Sequence, residues 1–430
     1  MPLTTETAKN PTLQITILGA GIAGLTCALA LRHTNPSAKI LLLEKSAFEK
    51  HKETGAALYL APNCSDHLLR LGWHPRTSGS NQCEGFLSVD GMTGDVLKEM
   101  DLGFADEKWR GRDDGRVRPW VLSHRVDLHR ELRRLVTDDT GEVPGNAAVL
   151  CCGVFVKGVD VESGMVELGD GRRFCSDVVI GADGNASSSR GFVDPGARLK
   201  SCNRSCYRFL VERRKLLDDP ETRMLVEKNG YFADVTAPDR KFVIYPCREN
   251  QFVNFACFCP DDIEGTGNDW DQMGSKAKLE KSFESFWPPA RKALSYAGDD
   301  LKVWQMMDAE PLESFVRGRL ALIGDAAHPF LPFLGQGAAQ AMEDGVSIAV
   351  LLQQGTKSAE ILPLVQLYDQ IRRERVHYIQ EKTRMNGRDE GKGRLTPDEL
   401  FGVLDFCYVH DEWANTDKHL AAWREREEKS

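Results

Sequence analysis

The 430-residue chain has no run approaching the roughly 20 apolar residues that a membrane-spanning helix needs. Residues 1–12 are polar and lack an apolar signal core, so a short frayed tail is expected there, with no secretory signal. Basic charge is in deficit: 55 Lys and Arg against 64 Asp and Glu leave a net charge of −9, which argues against nucleic acid as the main partner. The 12 cysteines include no Cys-x-x-Cys and no Cys/His cluster at zinc spacing. The expectation is therefore reduced thiols in a cytoplasmic protein, with no metal. There is no internal repeat, no low-complexity block, no P-loop, no G-x-S-x-G and no H-E-x-x-H.

What is present begins at Gly19-Ala20-Gly21-Ile22-Ala23-Gly24. The apolar stretch Leu13–Leu18 before it reads as a buried parallel strand, and Leu25–Leu31 after it as a helix of small apolar residues. A second strand, Lys39–Leu43, leads into Glu44. This is the G-x-G-x-x-G dinucleotide fingerprint in a βαβ setting. Gly19 permits the tight turn, Gly21 leaves room for a pyrophosphate, and Gly24 lets helix and strand lie close. The helix N-terminus offers free N–H groups and a positive dipole end to phosphate. Glu44 is placed to accept ribose hydroxyls, and its charge disfavours a 2′-phosphate, so the site should hold FAD or NAD rather than NADP.

Further along, a charged helix is expected at about 126–136. Antiparallel strands are expected over Val149–Val161 and Met165–Leu168, with a turn at Gly169-Asp170-Gly171. Val178–Ile180 and Leu320–Ile323 read as buried strands ending in Gly181-Ala182-Asp183-Gly184 and Gly324-Asp325. From about 201 to 309 the texture becomes that of an antiparallel sheet. A helix from about 338 carries Ala338, Ala341, Met342, Gly345, Ala349 and Leu352 on one face, and residues 358–430 read as charged helix. Its Arg372-Arg373-Glu374-Arg375 run is expected to be a solvated face. The fold class expected is α/β: a Rossmann-type domain for the FAD or NAD, discontinuous over 12–73, 101–200 and 310–355, an antiparallel-sheet domain for the substrate over 74–100 and 201–309, and C-terminal helices over 356–430.

Three ordered motifs carry a resemblance that runs from about residue 13 to 385. They are the N-terminal glycines; Gly181–Gly184 followed by Ser187 and Arg190; and Gly324-Asp325-Ala326-Ala327-His328-Pro329 followed by Gly335-Gln336-Gly337 and Glu343-Asp344. The set resembles the group A flavoprotein monooxygenases of the p-hydroxybenzoate and salicylate hydroxylase type. Gly55-Ala56-Ala57, Pro62-Asn63 and Pro332–Gly337 are similar to the fungal salicylate hydroxylase-like branch of secondary metabolism.

The resemblance implies FAD as cofactor, NADPH or NADH and O2 as co-substrates, and oxygen transfer to a small aromatic molecule through a flavin C4a-hydroperoxide. It places Asp325 on the ribityl chain. The backbone of Gly335, Gln336, Gly337 and Ala338 falls at the flavin N1/O2 edge, and Arg125 near the flavin and pyrophosphate. Asp183 falls in an element associated with both FAD and NAD(P)H, with a capping aspartate as the alternative. An exposed helix-start arginine is the alternative for Arg125. Glu343 is a weaker candidate, and His328 reads as loop packing.

Arg208, in Cys206-Tyr207-Arg208-Phe209, is the candidate counter-charge for a substrate oxyanion, with a strand residue paired to an acid as the alternative. Tyr231 is a candidate pocket residue, with core packing as the alternative. Lys241 stands where many relatives carry a histidine, which removes the transferred histidine base. Hydroxylation of an electron-rich phenol is the leading function. Epoxidation of an indole or alkene and a non-catalytic FAD-binding protein remain as alternatives. A monomer or homodimer is expected.

Overall fold

The structure, a computed structural model, describes residues 12–47, 57–102, 118–261, 272–389 and 391–429. The N-terminal tail through Pro11, and Gly55 and Ala56 of the Gly55–Ala57 motif, lie outside the described residues.

The chain opens β1 (Gln14–Leu18), α1 (Ile22–Thr34), β2 (Lys39–Glu44), β3 (Ala57–Leu60), α2 (Pro62–Arg70), β4 (Asn81–Gln82), β5 (Gly85–Asp90), β6 (Val96–Asp101), β7 (Val121–His124) and α3 (Arg125–Thr137). It continues with β8 (Val149–Cys152), β9 (Val156–Asp160), β10 (Met165–Leu168), β11 (Arg173–Cys175), β12 (Val178–Gly181) and α4 (Ser188–Val193). The long strand β13 (Leu199–Glu212), α5 (Arg213–Asp218), β14 (Tyr231–Thr236), β15 (Lys241–Cys247) and β16 (Phe252–Pro260) come next. They are followed by α6 (Lys276–Ser282), α7 (Pro288–Leu294), β17 (Lys302–Ala309), β18 (Val316–Arg317) and β19 (Leu320–Leu322). The C-terminal third is α8 (Gly337–Leu351), α9 (Ile361–Asn386), α10 (Pro397–Tyr408) and α11 (Glu412–Glu427).

The first sheet has the order β18-β19-β12-β1-β2-β8 and is parallel apart from the β18–β19 pair. β1 lies at its centre, buried on both faces, which is why it reads as a continuous apolar run. Val149–Cys152 joins this sheet, parallel to β2, which corrects the antiparallel expectation for that stretch. The antiparallel part is the separate meander β9-β10-β11, with Gly169–Gly171 at its second turn. A small separate sheet has the order β3-β7-β4.

The second large sheet, β17-β13-β16-β15-β14-β5-β6, is mixed rather than purely antiparallel, because β14 and β5 run parallel. Alternation along its strands divides it into two faces. Tyr207, Phe209, Phe242, Ile244, Phe255 and Val235 point outward into an apolar core with α6 and α7. Cys206, Ala256 and Phe258, with the partly buried Leu210, Val243 and Phe232, point inward toward the first lobe.

The hairpin between β15 and β16 contains three consecutive non-glycine residues at positive φ: Arg248 (50°), Glu249 (54°) and Asn250 (62°). Such residues are disfavoured there and persist only when neighbours hold them. Here the Arg248 guanidinium donates twice to Asp127 near the start of α3, and the Glu249 N–H donates to the Gly79 carbonyl.

Helix α8 departs from the one-faced expectation. Every residue from Ala339 to Leu351 is buried, including Gln340, Glu343, Asp344 and Ser347. The C-terminal helices wrap it, and they supply the partners those polar groups require.

Candidate FAD and substrate site

The glycine turn sits at the carboxyl edge of the parallel sheet. Gly19 has φ +108°, and a Cβ there would lie 2.3 Å from the Ala182 carbonyl oxygen. A Cβ on Gly24 would lie 2.0 Å from the Gly19 oxygen. Both positions are closed by the protein itself. Gly21 differs, because a Cβ there meets nothing within 4 Å. It is the N-cap of α1, which has no side-chain cap and no acid in its first turn. An uncapped helix start facing open space, with the positive dipole end exposed, fits a pyrophosphate. Glu44 lies against the same turn, accepting from the Ala20 N–H at 2.9 Å and the Ser46 N–H at 2.7 Å. A carboxylate has further lone pairs for a ribose hydroxyl.

Asp325 follows β19 in a 3-10 turn. Burial pushes its carboxyl above the usual range, opposed by the charges of His328, Arg125 and Arg190. It lines an open cleft together with Trp304, Met306, Pro329, Phe330 and Leu331. Arg125 is the first residue of α3, and its charge reaches Asp325. Asp183 accepts from the Ser187 hydroxyl and from the Ser188 and Ser189 N–H groups at 2.9 and 3.0 Å, which makes it a cap for α4. Arg190 then staples that turn to the Asp325 loop, donating to the carbonyls of Asn185, Asp325 and Ala326.

The N-terminus of α8 provides a second uncapped helix start. Gly335 has φ +60°, and the space its missing Cβ leaves is filled by the Tyr59 ring. Gly337 and Ala338 are half-buried and carry almost no side chain. The Gln336 side chain is fully buried, its oxygen accepting from Asn63 and Gln340, each at 3.2 Å, while its Nε2 has no hydrogen-bond partner among the described residues.

Two side chains of the next turns belong to the architecture. Glu343 accepts from Arg372 (2.7 Å), Arg375 (2.8 and 3.0 Å) and Asn63 (2.7 Å). Asp344 accepts from Arg372 (2.8 Å), the Gly324 N–H (2.8 Å) and His328 Nε2 (2.5 Å). Arg372 also meets Glu412, which bonds His410. The Arg372–Arg375 run is therefore not a solvated face, since Arg372 is 0 % and Arg375 8 % exposed. The arginines hold Glu343 well below the usual carboxylate range, and His328 and Arg372 lower Asp344. Through the Gly324 N–H, Asp344 fixes the turn that carries Asp325. The sequence signal was available as an acid pair on one helix and an arginine pair spaced i, i+3 on the next.

On the inner face of the second sheet, the Arg208 guanidinium lies 3.4 Å from the centroid of Trp304, a stacked cation–π contact on a cleft wall. Its charge reaches Tyr245, whose hydroxyl donates to the Ala57 carbonyl at 2.7 Å. Tyr231 does not join them. It shares the outward face with Ala233 and Val235, at the sheet margin near Lys228 and Glu99. The inward aromatic is its neighbour Phe232, stacked on Tyr245 at 5.2 Å and edge-on to Tyr59 at 5.5 Å.

The FAD binding domain family model matches residues 156–383. Hispidin-3-hydroxylase of Neonothopanus nambi is 31% identical over 382 residues, covering 85% of this chain and 86% of that protein. The FAD-dependent monooxygenase cfoG of Aspergillus candidus is 33% identical over 393 residues, covering 86% and 85%. A salicylate hydroxylase substrate complex superposes with a TM-score of 0.75 at 21% identity, covering 95% of this chain and 98% of that one. On these matches the chain belongs to the family of FAD-dependent, single-component monooxygenases.

Proposed function

We propose that this monooxygenase hydroxylates an electron-rich phenolic ring, consuming O2 and NADPH or NADH. The observation that carries the reading is Arg208. It is a guanidinium stacked on Trp304, on the sheet face turned toward Asp325 and the flavin-binding lobe. Hispidin-3-hydroxylase and the structurally similar salicylate hydroxylase are named for hydroxylated or phenolic aromatics.

Bound FAD supplies the redox chemistry and the activation of oxygen. The protein's own groups do the rest. The N–H groups at the start of α1 and the carboxylate of Glu44 hold the dinucleotide end. Asp325 takes a ribityl hydroxyl, and the N–H groups at the start of α8 favour negative charge at the ring edge. Arg208 pairs with a phenolate oxygen, which orients the ring and keeps it electron-rich. The aromatic wall of Tyr59, Phe232 and Tyr245 excludes water. No side chain is assigned as acid or base.

The test is substrate-stimulated NADPH oxidation with a panel of phenols and indoles, scored by product mass. A phenol that gains one oxygen atom supports the reading. Turnover of indoles alone, to epoxide-derived products, overturns it.

A further inference from the structure

We propose that Asp234 is a second substrate-recognition residue, accepting a hydrogen bond from a donor at the far end of an elongated phenol whose oxyanion end is held by Arg208. The inference rests on the hydroxylase reading above and goes beyond it by fixing the shape and polarity of the substrate.

The register of the second sheet places Arg208, Ala256, Val243, Asp234 and Ser88 in one row across five strands. Arg208 and Asp234 are three strand steps apart, about 14 Å at the usual spacing. Between them stand Ala256 and Val243, a small and a medium apolar residue that form a flat floor. The neighbouring row gives the wall: Leu210, Asn254, Tyr245, Phe232 and Phe86. Both rows belong to the inner face, where Phe232, Val243 and Leu210 pack toward the flavin-binding lobe.

Part of this face is open, although Cys206, Ala256, Phe258 and Tyr245 on it are buried. Outward Phe242, Val235 and Phe255 are 0 % exposed. Inward Arg208, Val243, Asp234, Phe232 and Trp304 are all half-buried, although they lie between two lobes. A sheet face that turns inward yet keeps accessible surface borders a cleft.

Asp234 is set up to take a donor. Lys241, on the adjacent strand, gives one hydrogen bond to Oδ2 at 3.2 Å. Oδ1 is closed off by protein atoms and has no hydrogen-bond partner among the described residues, while the side chain as a whole stays 17% exposed, so the acceptor left for a ligand donor is Oδ2, which keeps a lone pair beyond the Lys241 bond. Lys241 balances the carboxylate's charge, so the neutral hydroxyl or N–H of a ligand suits it better than a cation. The floor therefore selects a long, flat aromatic with an acidic phenol at one end and a neutral donor at the other.

The test compares trans-4,4′-dihydroxystilbene with trans-4-hydroxystilbene, which differ in the far hydroxyl alone. Binding to the FAD-loaded enzyme is read from the flavin absorbance change. The wild type is expected to bind the dihydroxy compound at least tenfold more tightly. In Asp234→Ala the ratio should fall below about threefold with flavin content unchanged. Asp234→Asn, which keeps shape and packing, should lower the ratio by less, because it removes the charge that strengthens the bond and not every hydrogen-bonding atom. A generally loosened pocket weakens both probes together and leaves the ratio intact. Equal binding in the wild type, or a ratio that survives both substitutions, overturns the role of Asp234 while leaving the hydroxylase reading in place. If neither stilbene binds or stimulates NADPH oxidation while indoles do, the phenolic reading fails and this inference with it.

Discussion

Two regions of the molecule bury charge in opposite ways. Around Arg372, four ionised side chains (Glu343, Asp344, Arg372 and Glu412) are 0 % exposed, and every carboxylate oxygen has a partner. On the inner face of the second sheet, Arg208, Asp234 and Lys241 are half-buried, and one carboxylate oxygen lacks a partner among the described residues. The saturated region behaves as scaffold, since nothing is left over to meet a ligand. The unsaturated region has recognition capacity to spare. Degree of satisfaction, more than burial or charge, separates the two roles.

The sharpest way to break the contrast is Arg372→Met. It strands Glu343, Asp344 and Glu412 in the interior, and removing one partner of such a network costs about 3–5 kcal/mol. The expected result is loss of soluble folded protein, or a large drop in Tm by calorimetry. The same cluster sets the acid response. Glu343, Asp344 and Glu412 have folded pKa values below their unfolded ones. Their contribution is complete above the unfolded range of about 4 and is lost as pH falls through the lowered folded values. Wild-type Tm should therefore fall steeply on acidification. Asp325, raised by burial, contributes the opposite slope, since its share declines as pH rises through its folded value.

A second pair of changes separates glycines closed by protein from the one left open. Gly24→Ala drives a methyl into the Gly19 carbonyl and should lower Tm and flavin content together. Gly21→Ala meets no protein atom, so the apoprotein should melt as the wild type does while FAD affinity falls on the order of tenfold. Equal flavin content in wild type and Gly21→Ala would remove the pyrophosphate from that turn.

Within the unsaturated region, Arg208→Met should keep FAD and lose product. Residual NADPH oxidation should end in hydrogen peroxide, measured by a peroxide assay, with product yield down about tenfold or more if one charge-assisted hydrogen bond is lost. The smallest effect belongs to Tyr231→Phe. It lies on the outer face and should leave KM and kcat within about twofold, inside the range of ordinary surface changes. A larger effect than that of Phe232→Leu would reverse the assignment of faces.

The flavin-binding lobe was legible because its glycines answer to backbone geometry alone. Gly19 has the positive φ that its tight turn requires, and Gly24 has no space for a methyl. Asp325 was legible because a parallel strand delivers its last residue to the carboxyl edge. The substrate lobe was harder, because the face a strand residue occupies flips at every step. Tyr231 and Phe232 are equally plausible in sequence, and pairing with β5 and β15 decides between them. The Arg372–Arg375 run misled for a related reason. A charged stretch looks solvated until its acids, 28 to 40 residues distant, are known to share its interior.

The central position of β1 also sets a clock on synthesis. Its neighbours in the sheet are β2 and β12, and β12 in turn needs β19, which ends at Leu322. The charges that face α8 are balanced last, by Glu412. At about 5–20 residues per second, on the order of a minute or less passes between the emergence of the glycine turn and that of its final partners. During that interval the apolar edge of β1 and β2 stands open at the ribosome, and slow long-range pairing is when such edges aggregate. Chaperones that cover those edges during synthesis should therefore raise soluble yield more than any stabilisation of the finished fold.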